Sequence, residues 1–187
     1  MALIVLTTSA GDICYNARLL PPVSSTPSPS MGNGTAQLMI DTSSNTMNIS
    51  IVFANLMGLT TAVHIQGPTA LSWTGFGPII TMTPSLQNFP LGVTSGNYFQ
   101  TVDLASPSSY SAEFLAGTAT AKVSPEAFFL ASLANTTAYL AINTLTFPQG
   151  EIEGFLLPCT SMVSTSVTAR APSPITLQKL RGIVQIV

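Results

Sequence analysis

The side chains that could carry out chemistry in this sequence are few and far apart. The 187 residues include one histidine, His64, and seven Asp and Glu residues. Zinc and copper sites need three or four converging His, Cys or carboxylate ligands, which one imidazole among scattered carboxylates does not supply. We therefore predict no metal ligand and no cofactor, and we expect His64 to be a hydrogen-bonded structural residue near a Gly-Pro turn.

The carboxylates and hydroxyls also give little support to catalysis. Glu151 and Glu153 alternate along the segment 150–157, so they would share one face of a strand. A glycosidase needs such a pair to flank a cleft at a set separation, and no Gly-x-Ser-x-Gly elbow is present to position a nucleophilic serine. We predict no catalytic residue and no enzyme. Glu151 is expected to cap or hydrogen-bond a neighbouring loop, and Glu153 to be solvated.

Three sequons are the positions best suited to covalent modification. Asn33-Gly-Thr, Asn48-Ile-Ser and Asn135-Thr-Thr each match the acceptor pattern for N-glycosylation. They predict N-linked glycans on a secreted protein. In that compartment Cys14 and Cys159 are expected to form a disulfide, and two buried free thiols are the alternative.

Charge is scarce in this chain. Asp, Glu, Lys and Arg make up 6% of the residues, against about 25% in an average soluble domain, while the mean hydropathy is +0.46. Five basic residues are too few to neutralise many phosphates, which argues against nucleic-acid binding. No apolar run is long enough for membrane insertion. Other copies of the chain, or glycans, are therefore expected to cover part of the surface.

Short β-type segments separated by Gly, Pro, Asn and Ser predict an all-β fold. Segments 34–41 and 46–54 alternate apolar and polar residues around a hairpin turn at 42–45, with Asn48 on the solvent side. One short helix is expected at 124–134, with Ser124 as N-cap and Pro125 at its first position. Further strands are expected at 61–66, 77–82, 97–104, 137–143 and 150–157. The pattern predicts an antiparallel β-sandwich, Greek-key and immunoglobulin- or dismutase-like, with extended termini.

Five aromatic residues fall in the irregular region 71–100, where exposed rings could recognise a carbohydrate or a protein partner. They are Trp73, Phe76, Phe89, Tyr98 and Phe99. The alternative, which we favour, is that these rings cover one open end of the sandwich.

Both ends of the chain are prone to form β-strands. We divide the sequence into an N-terminal segment 1–13, a domain 14–159, a Ser/Thr/Pro linker 160–174 suited to O-linked glycans, and a tail 175–187. The apolar run 2–6 is too short for a signal peptide, so we expect a mature form or part of a longer precursor. The uncharged strand candidates are Leu3, Ile4, Val5 and Leu6 at one end and Ile183, Val184, Ile186 and Val187 at the other. Such segments pair with their own domain or with a neighbouring copy.

Four motifs in order resemble the CHRD (chordin) domain over about residues 15–157. They are Pro21-Pro22-Val23, then Ala62-Val63-His64-Ile65-Gln66-Gly67-Pro68, then Ala138-Tyr139-Leu140-Ala141-Ile142-Asn143-Thr144, and finally Gly150-Glu151-Ile152-Glu153-Gly154. The resemblance implies an extracellular β-sandwich without a general enzymatic activity. Gln66 and Asn143 stand where the family has histidines in its HIHGP and VNVHT motifs, so the histidines that a metal site could use are missing.

These observations lead to one expected function and two alternatives. We expect a secreted, extracellular structural protein of a fibre, matrix or cell surface, which self-associates by β-strand addition from a terminal segment. Its partners would be copies of itself and its own glycans, with no nucleic acid and no membrane insertion. The alternatives are an extracellular protein- or carbohydrate-binding module and a degenerate metal-dependent redox enzyme.

Overall fold

A computed structural model describes residues 12–22 and 29–159, and within them the chain forms two antiparallel sheets. The strands are β1 (Ile13–Leu19), β2 (Asn33–Asp41), β3 (Thr46–Ala54), β4 (Thr60–Gln66), β5 (Gly96–Asp103), β6 (Tyr139–Thr144), β7 (Ile152–Phe155) and β8 (Leu157–Pro158). A five-stranded sheet has the order β5-β3-β2-β1-β8, and a three-stranded sheet has the order β4-β6-β7. The predicted all-β sandwich is confirmed.

The core lies between the two sheets and is built by residues that alternate along the strands. In β3, Met47, Ile49 and Ile51 are fully buried, whereas Asn48 and Val52 on the opposite face are exposed. Strands β4, β6 and β7 bury their apolar residues in the same core. Full burial of each large aliphatic side chain stabilises the fold by roughly 1.5–3 kcal/mol. The predicted hairpin between β2 and β3 and the solvent-facing position of Asn48 are confirmed.

Two helices, α1 (Ala112–Ala121) and α2 (Pro125–Ala134), follow β5. The predicted helix is confirmed as α2, where Ser124 Oγ accepts a hydrogen bond from the N–H of Ala127 at 3.2 Å. The prediction of a single helix was wrong, because α1 is also present and is capped by Ser111 in the same way. Gly and Thr are weak helix formers, and they interrupt the sequence of α1. Its anchor is Phe114, which packs between the rings of Tyr110 and Phe128.

The segment 77–82 was predicted to be a strand and forms only isolated bridges. Pro78 has no N–H to donate, and side-chain hydroxyls replace part of a regular ladder. Thr81 Oγ1 accepts from Ile65 N at 3.1 Å and Ser85 Oγ accepts from Val63 N at 3.1 Å. The segment 78–85 thereby covers the free edge of β4 without extending the sheet.

The predicted strand 150–157 is present as two strands that join the two sheets. β7 pairs with β6, whereas β8 pairs with β1 in the other sheet. Between them Leu156 N donates to Ala138 O at 3.0 Å, and Leu20 exchanges backbone hydrogen bonds of 3.0 and 2.8 Å with Glu153. We call β7, β8 and their pairing with residues 14–20 the closed margin of the sandwich.

Several predicted features lie outside the described residues. These are the N-terminal segment up to residue 11, the linker 160–174 and the tail 175–187. The strand candidates Leu3–Leu6 and Ile183–Val187 belong to them, so these residues remain predictions.

Candidate functional site: the motif face and the open sheet edge

His64 lies on the face of the three-stranded sheet that is turned away from the core, which we call the motif face. Because side chains alternate along strands, His64 and Gln66 of β4 share this face with Asn143 of β6. These are the three positions at which the resembled motifs carry histidine. His64 is only 3% exposed, and the phenolic O–H of Tyr139 donates to Gln66 Oε1 at 2.8 Å.

The chemistry of this face does not fit a metal. His64 Nδ1 and Asn143 Oδ1 are buried and have no hydrogen-bond partner among the described residues. Burial lowers the pKa of His64, against the opposing effect of backbone hydrogen bonds to Pro84 and Met82. One imidazole and two amides are a poor ligand set for zinc or copper. Within the described ranges no three His, Cys, Asp or Glu side chains converge.

Glu151 is fully buried and accepts four hydrogen bonds. Its Oε1 accepts from Ser30 Oγ at 2.6 Å and from the N–H of Met57. Its Oε2 accepts from Gly58 N at 2.9 Å and from Thr144 Oγ1 at 2.8 Å. The carboxylate therefore joins the segment before β2, the turn between β3 and β4, and the end of β6.

The environment of Glu151 favours its ionised form. Burial raises its pKa, but the hydrogen bonds from Ser30, Met57, Gly58 and Thr144 outweigh burial and lower the pKa below its ordinary value. All four donors come from the protein, so the carboxylate is bound within the fold and has no free face for a substrate. Its geometry is that of a structural buried charge.

Glu153 is separated from Glu151 in both position and environment. It lies within β7 opposite Ala141, whereas Glu151 precedes the strand. The sequence predicts a solvated Glu153, but its side chain is half-buried. Burial raises its pKa. The two carboxylates share no hydrogen-bond partner among the described residues.

The glycines of the motifs sit where chains approach closely. A Cβ on Gly154 would overlap the carbonyl oxygen of Arg18, so only glycine lets β7 pass this close to β1. Gly67 has φ of 144°, and a Cβ there would lie 2.7 Å from Thr137 O. The half-buried Pro68 follows it, and Gly150 N donates to Phe147 O at 3.1 Å in the turn before Glu151. These positions shape the closed margin and the motif face.

Cys14 and Cys159 form a disulfide, as predicted. Their Cα atoms are 5.3 Å apart across 145 positions of sequence, and Cys159 N donates to Cys14 O at 2.9 Å. The bond ties the start of β1 to the residue that follows β8. It therefore fastens the closed margin covalently.

The three sequon asparagines are all exposed. Asn33 begins β2, Asn48 lies in β3, and Asn135 follows α2. Asn48 Oδ1 accepts from Thr101 Oγ1 at 2.6 Å on the outer face of the large sheet. Each position could carry a glycan without unfolding, and their modification remains a prediction.

The predicted aromatic group divides into a buried and an exposed part. Phe89 and Tyr98 are buried, and Phe89 packs against both Phe53 and Tyr98 with ring centroids 5.6 and 5.5 Å apart. Trp73, Phe76 and Phe99 are 62%, 78% and 69% exposed. Trp73 and Phe76 lie in the loop after β4, and Phe99 lies in β5.

Three of the four sheet edges in the described part of the chain are already paired or blocked. The segment 78–85 covers β4, and Leu20 pairs with Glu153 of β7. Strand β8 has two residues and ends in Pro158, which cannot donate to another strand.

At the fourth edge, no described strand pairs with the outer side of β5. Leu104 N donates to Asn45 O at 2.8 Å. The main-chain N–H and C=O groups of every second residue before Leu104 therefore also point toward β3, and those of the residues between them point away from it. Asn97, Phe99 and Thr101 therefore direct their main-chain groups outward. Thr101 O accepts from the side chain of Gln100 at 3.2 Å, and no other hydrogen bond from described residues reaches these outward groups.

A cleft of about 250 Å³ runs beside this edge. Three apolar residues, Met82, Leu86 and Val102, line it together with seven polar residues that include Gln100 and Asp103. We call β5 and this cleft the open margin of the sandwich. The sequence did not indicate this feature, since it depends on which strands pair.

Comparison with protein families identifies the domain. The family model of the CHRD domain matches residues 15–156, which extend from β1 to the residue between β7 and β8. Comparisons with curated proteins and with solved structures returned no match. Among the described helices none has the length and hydropathy needed to cross a membrane.

Proposed function

Because this chain belongs to the CHRD domain family, an extracellular type of domain, we propose that it is an extracellular structural protein that polymerises with copies of itself. The family is non-enzymatic, and we extend that property to this chain. Two observations support this extension. The buried Glu151 carboxylate accepts all its hydrogen bonds from the protein itself, and His64 shares its face of the sheet with the amide side chains of Gln66 and Asn143.

The surface supports association. Thirteen large hydrophobic side chains are exposed among the described residues, which is more than the twelve charged residues of the whole chain. Such a surface has little electrostatic repulsion between copies. No sequon lies in β5, but Asn48 is paired with Thr101 of that strand, so only glycans at Asn33 and Asn135 would cover parts away from the edge.

The outer edge of β5 is the observation that carries the proposal. This eight-residue strand has no Lys, Arg or Pro, and its outward main-chain groups are left without a strand partner among the described residues. A terminal segment of a second copy can pair there by β-strand addition. Donor and acceptor are different parts of the chain, so the contact is head-to-tail and can propagate as a filament.

Truncation tests the polymer directly. Full-length protein is compared with chains lacking residues 1–8 or 175–187 by negative-stain electron microscopy and light scattering. We expect long assemblies from the full chain and their loss in one of the truncated chains. Identical particles from all three proteins would refute strand addition.

The exposed loop 71–76 favours a binding module as the second candidate. Ser72 Oγ donates to Asn135 O at 2.8 Å and Trp73 N donates to Thr136 O at 3.3 Å, so the loop is held in place while Trp73 stays exposed. Rigid exposed aromatics are typical of contact surfaces. Under this alternative, Trp73→Ala would abolish binding on a glycan or protein array, and both truncations would leave binding unchanged.

A further inference from the structure

We propose that the acceptor site of the polymer is the open margin, and that the donor is the segment 183–187 of a second copy, paired antiparallel to β5. This inference rests on the proposed function and adds the residues that meet. The edge offers Asn97, Phe99 and Thr101, whose outward main-chain groups match a strand of five residues.

One register satisfies the charges and the side chains together. Placing Gln185 opposite Phe99 puts Ile183 opposite Thr101 and Arg181 opposite the exposed Asp103. Asp103 is the only charge in β5, and the last charge of the tail before its carboxyl end would face it. Opposite charges across antiparallel strands favour this pairing over its neighbours.

The same register directs apolar side chains into the cleft. Tyr98 and Val102 face inward in β5, so residues opposite Tyr98 and Gln100 also face inward. These are Ile186 and Val184, which would enter the cleft beside Met82 and Leu86. The outward Ile183 and Val187 would flank the exposed ring of Phe99.

The linker is long enough for the tail to reach β5 of a neighbouring copy or of its own chain. Cys159 lies beyond β8, and β8 and β5 are four strand spacings apart, about 19 Å. The Ser/Thr/Pro linker 160–174, when extended, spans about 45 Å at roughly 3.1 Å per residue. This length reaches β5 of the same chain as well as β5 of a second molecule, so the choice of a second copy rests on the proposed polymer and is tested at high dilution.

A proline at the edge tests the main-chain pairing. Thr101→Pro removes an outward N–H and the side-chain hydrogen bond to Asn48, and it leaves the main-chain hydrogen bonds to β3 in place. Thr101→Val is the matched control, since it removes the same hydroxyl but keeps the N–H. We expect Thr101→Pro to raise the protein concentration at which polymers form at least 10-fold over Thr101→Val. Equal onset for the two variants, with the same circular dichroism, would overturn the β5 assignment.

Cross-linking tests the register and the partner. Full-length Phe99→Cys and Gln185→Cys proteins are mixed and mildly oxidised, and the disulfide-linked dimer is quantified on a non-reducing gel. Thr35→Cys, exposed in the central strand β2, replaces Phe99→Cys as the control. We expect at least 10-fold more dimer with Phe99→Cys than with Thr35→Cys.

The outcomes separate this inference from the proposed function. Polymers that form without a preferred cross-link would preserve the function and overturn the acceptor site. A preferred cross-link without long polymers would support the site and refute the polymer. A cross-link found only within single chains of a Phe99→Cys/Gln185→Cys double variant at high dilution would overturn the second copy as partner.

Discussion

The two margins of the sandwich satisfy their polar groups in different ways. At the closed margin, β7 and β8 join the sheets, a disulfide fastens β1, and the buried Glu151 nearby accepts four hydrogen bonds. At the open margin, β5 leaves main-chain groups of Asn97, Phe99 and Thr101 without partners among the described residues, apart from the Gln100 contact to Thr101 O. The motif residue Gly154 belongs to the closed margin and Glu151 lies directly before it in the chain, so family resemblance identifies the framework and not the surface that would contact a partner.

The largest effect on stability is expected from Glu151→Ala. The substitution leaves buried donors, among them the N–H groups of Met57 and Gly58, without an acceptor. We expect a loss of about 4 kcal/mol in the free energy of unfolding. Urea denaturation followed by circular dichroism measures it, with Glu153→Ala as the control for removing a half-buried carboxylate nearby. A loss no larger than that of Glu153→Ala would mean that the hydrogen bonds to Glu151 do not hold this margin together.

Removing the disulfide is expected to have the next largest effect. Replacing Cys14 and Cys159 by serine frees a loop that spans nearly the whole domain, and we expect a loss of about 3 kcal/mol. The same denaturation experiment compares the double variant with the wild type under oxidising and reducing conditions. Reduction should destabilise the wild type and leave the variant unchanged. An equal response of both proteins would show that the bond does not stabilise the closed margin.

Acid should reduce the contributions of His64 and Glu151 to the stability of the fold, each in a different pH range. Burial lowers the pKa of His64 below its ordinary 6.5, so the unfolded chain binds this proton more readily and stability falls as pH drops below about 6.5. The lowered pKa of Glu151 gives a contribution that is present above its ordinary 4.5 and lost as pH falls through the folded-state pKa. Denaturation between pH 8 and pH 3 measures both, and His64→Gln should remove only the upper window. A His64→Gln profile identical to that of the wild type would refute this assignment.

The sequence predicted the features that depend on local patterns. The alternation in β3 and the Ser124–Pro125 start of α2 were sufficient to place these elements. The hydrogen bonds of Glu151 were beyond such patterns, because Ser30 and Met57 lie 121 and 94 positions away. The segment 77–82 has a strand-like composition but forms no regular ladder. Pro78 has no N–H to donate, and side-chain hydroxyls accept hydrogen bonds from β4 there. Which edge stays bare follows from the pairing order of all the strands, and no single segment encodes that order.

The smallest effect on stability, and the sharpest test of the comparison, is expected from a charge placed on the open margin. Phe99→Lys puts a cation on an exposed edge, where it should change the free energy of unfolding by no more than about 0.5 kcal/mol. Leu145→Lys is the matched control, because Leu145 is 70% exposed, against 69% for Phe99, and lies in the turn between β6 and β7. Charged edges resist strand pairing, so light scattering should show polymer loss in Phe99→Lys only. If both variants polymerise alike at unchanged stability, β5 is not the associating edge. If both lose polymers, the effect of an added cation is not specific to the open margin, and the contrast between the margins is wrong.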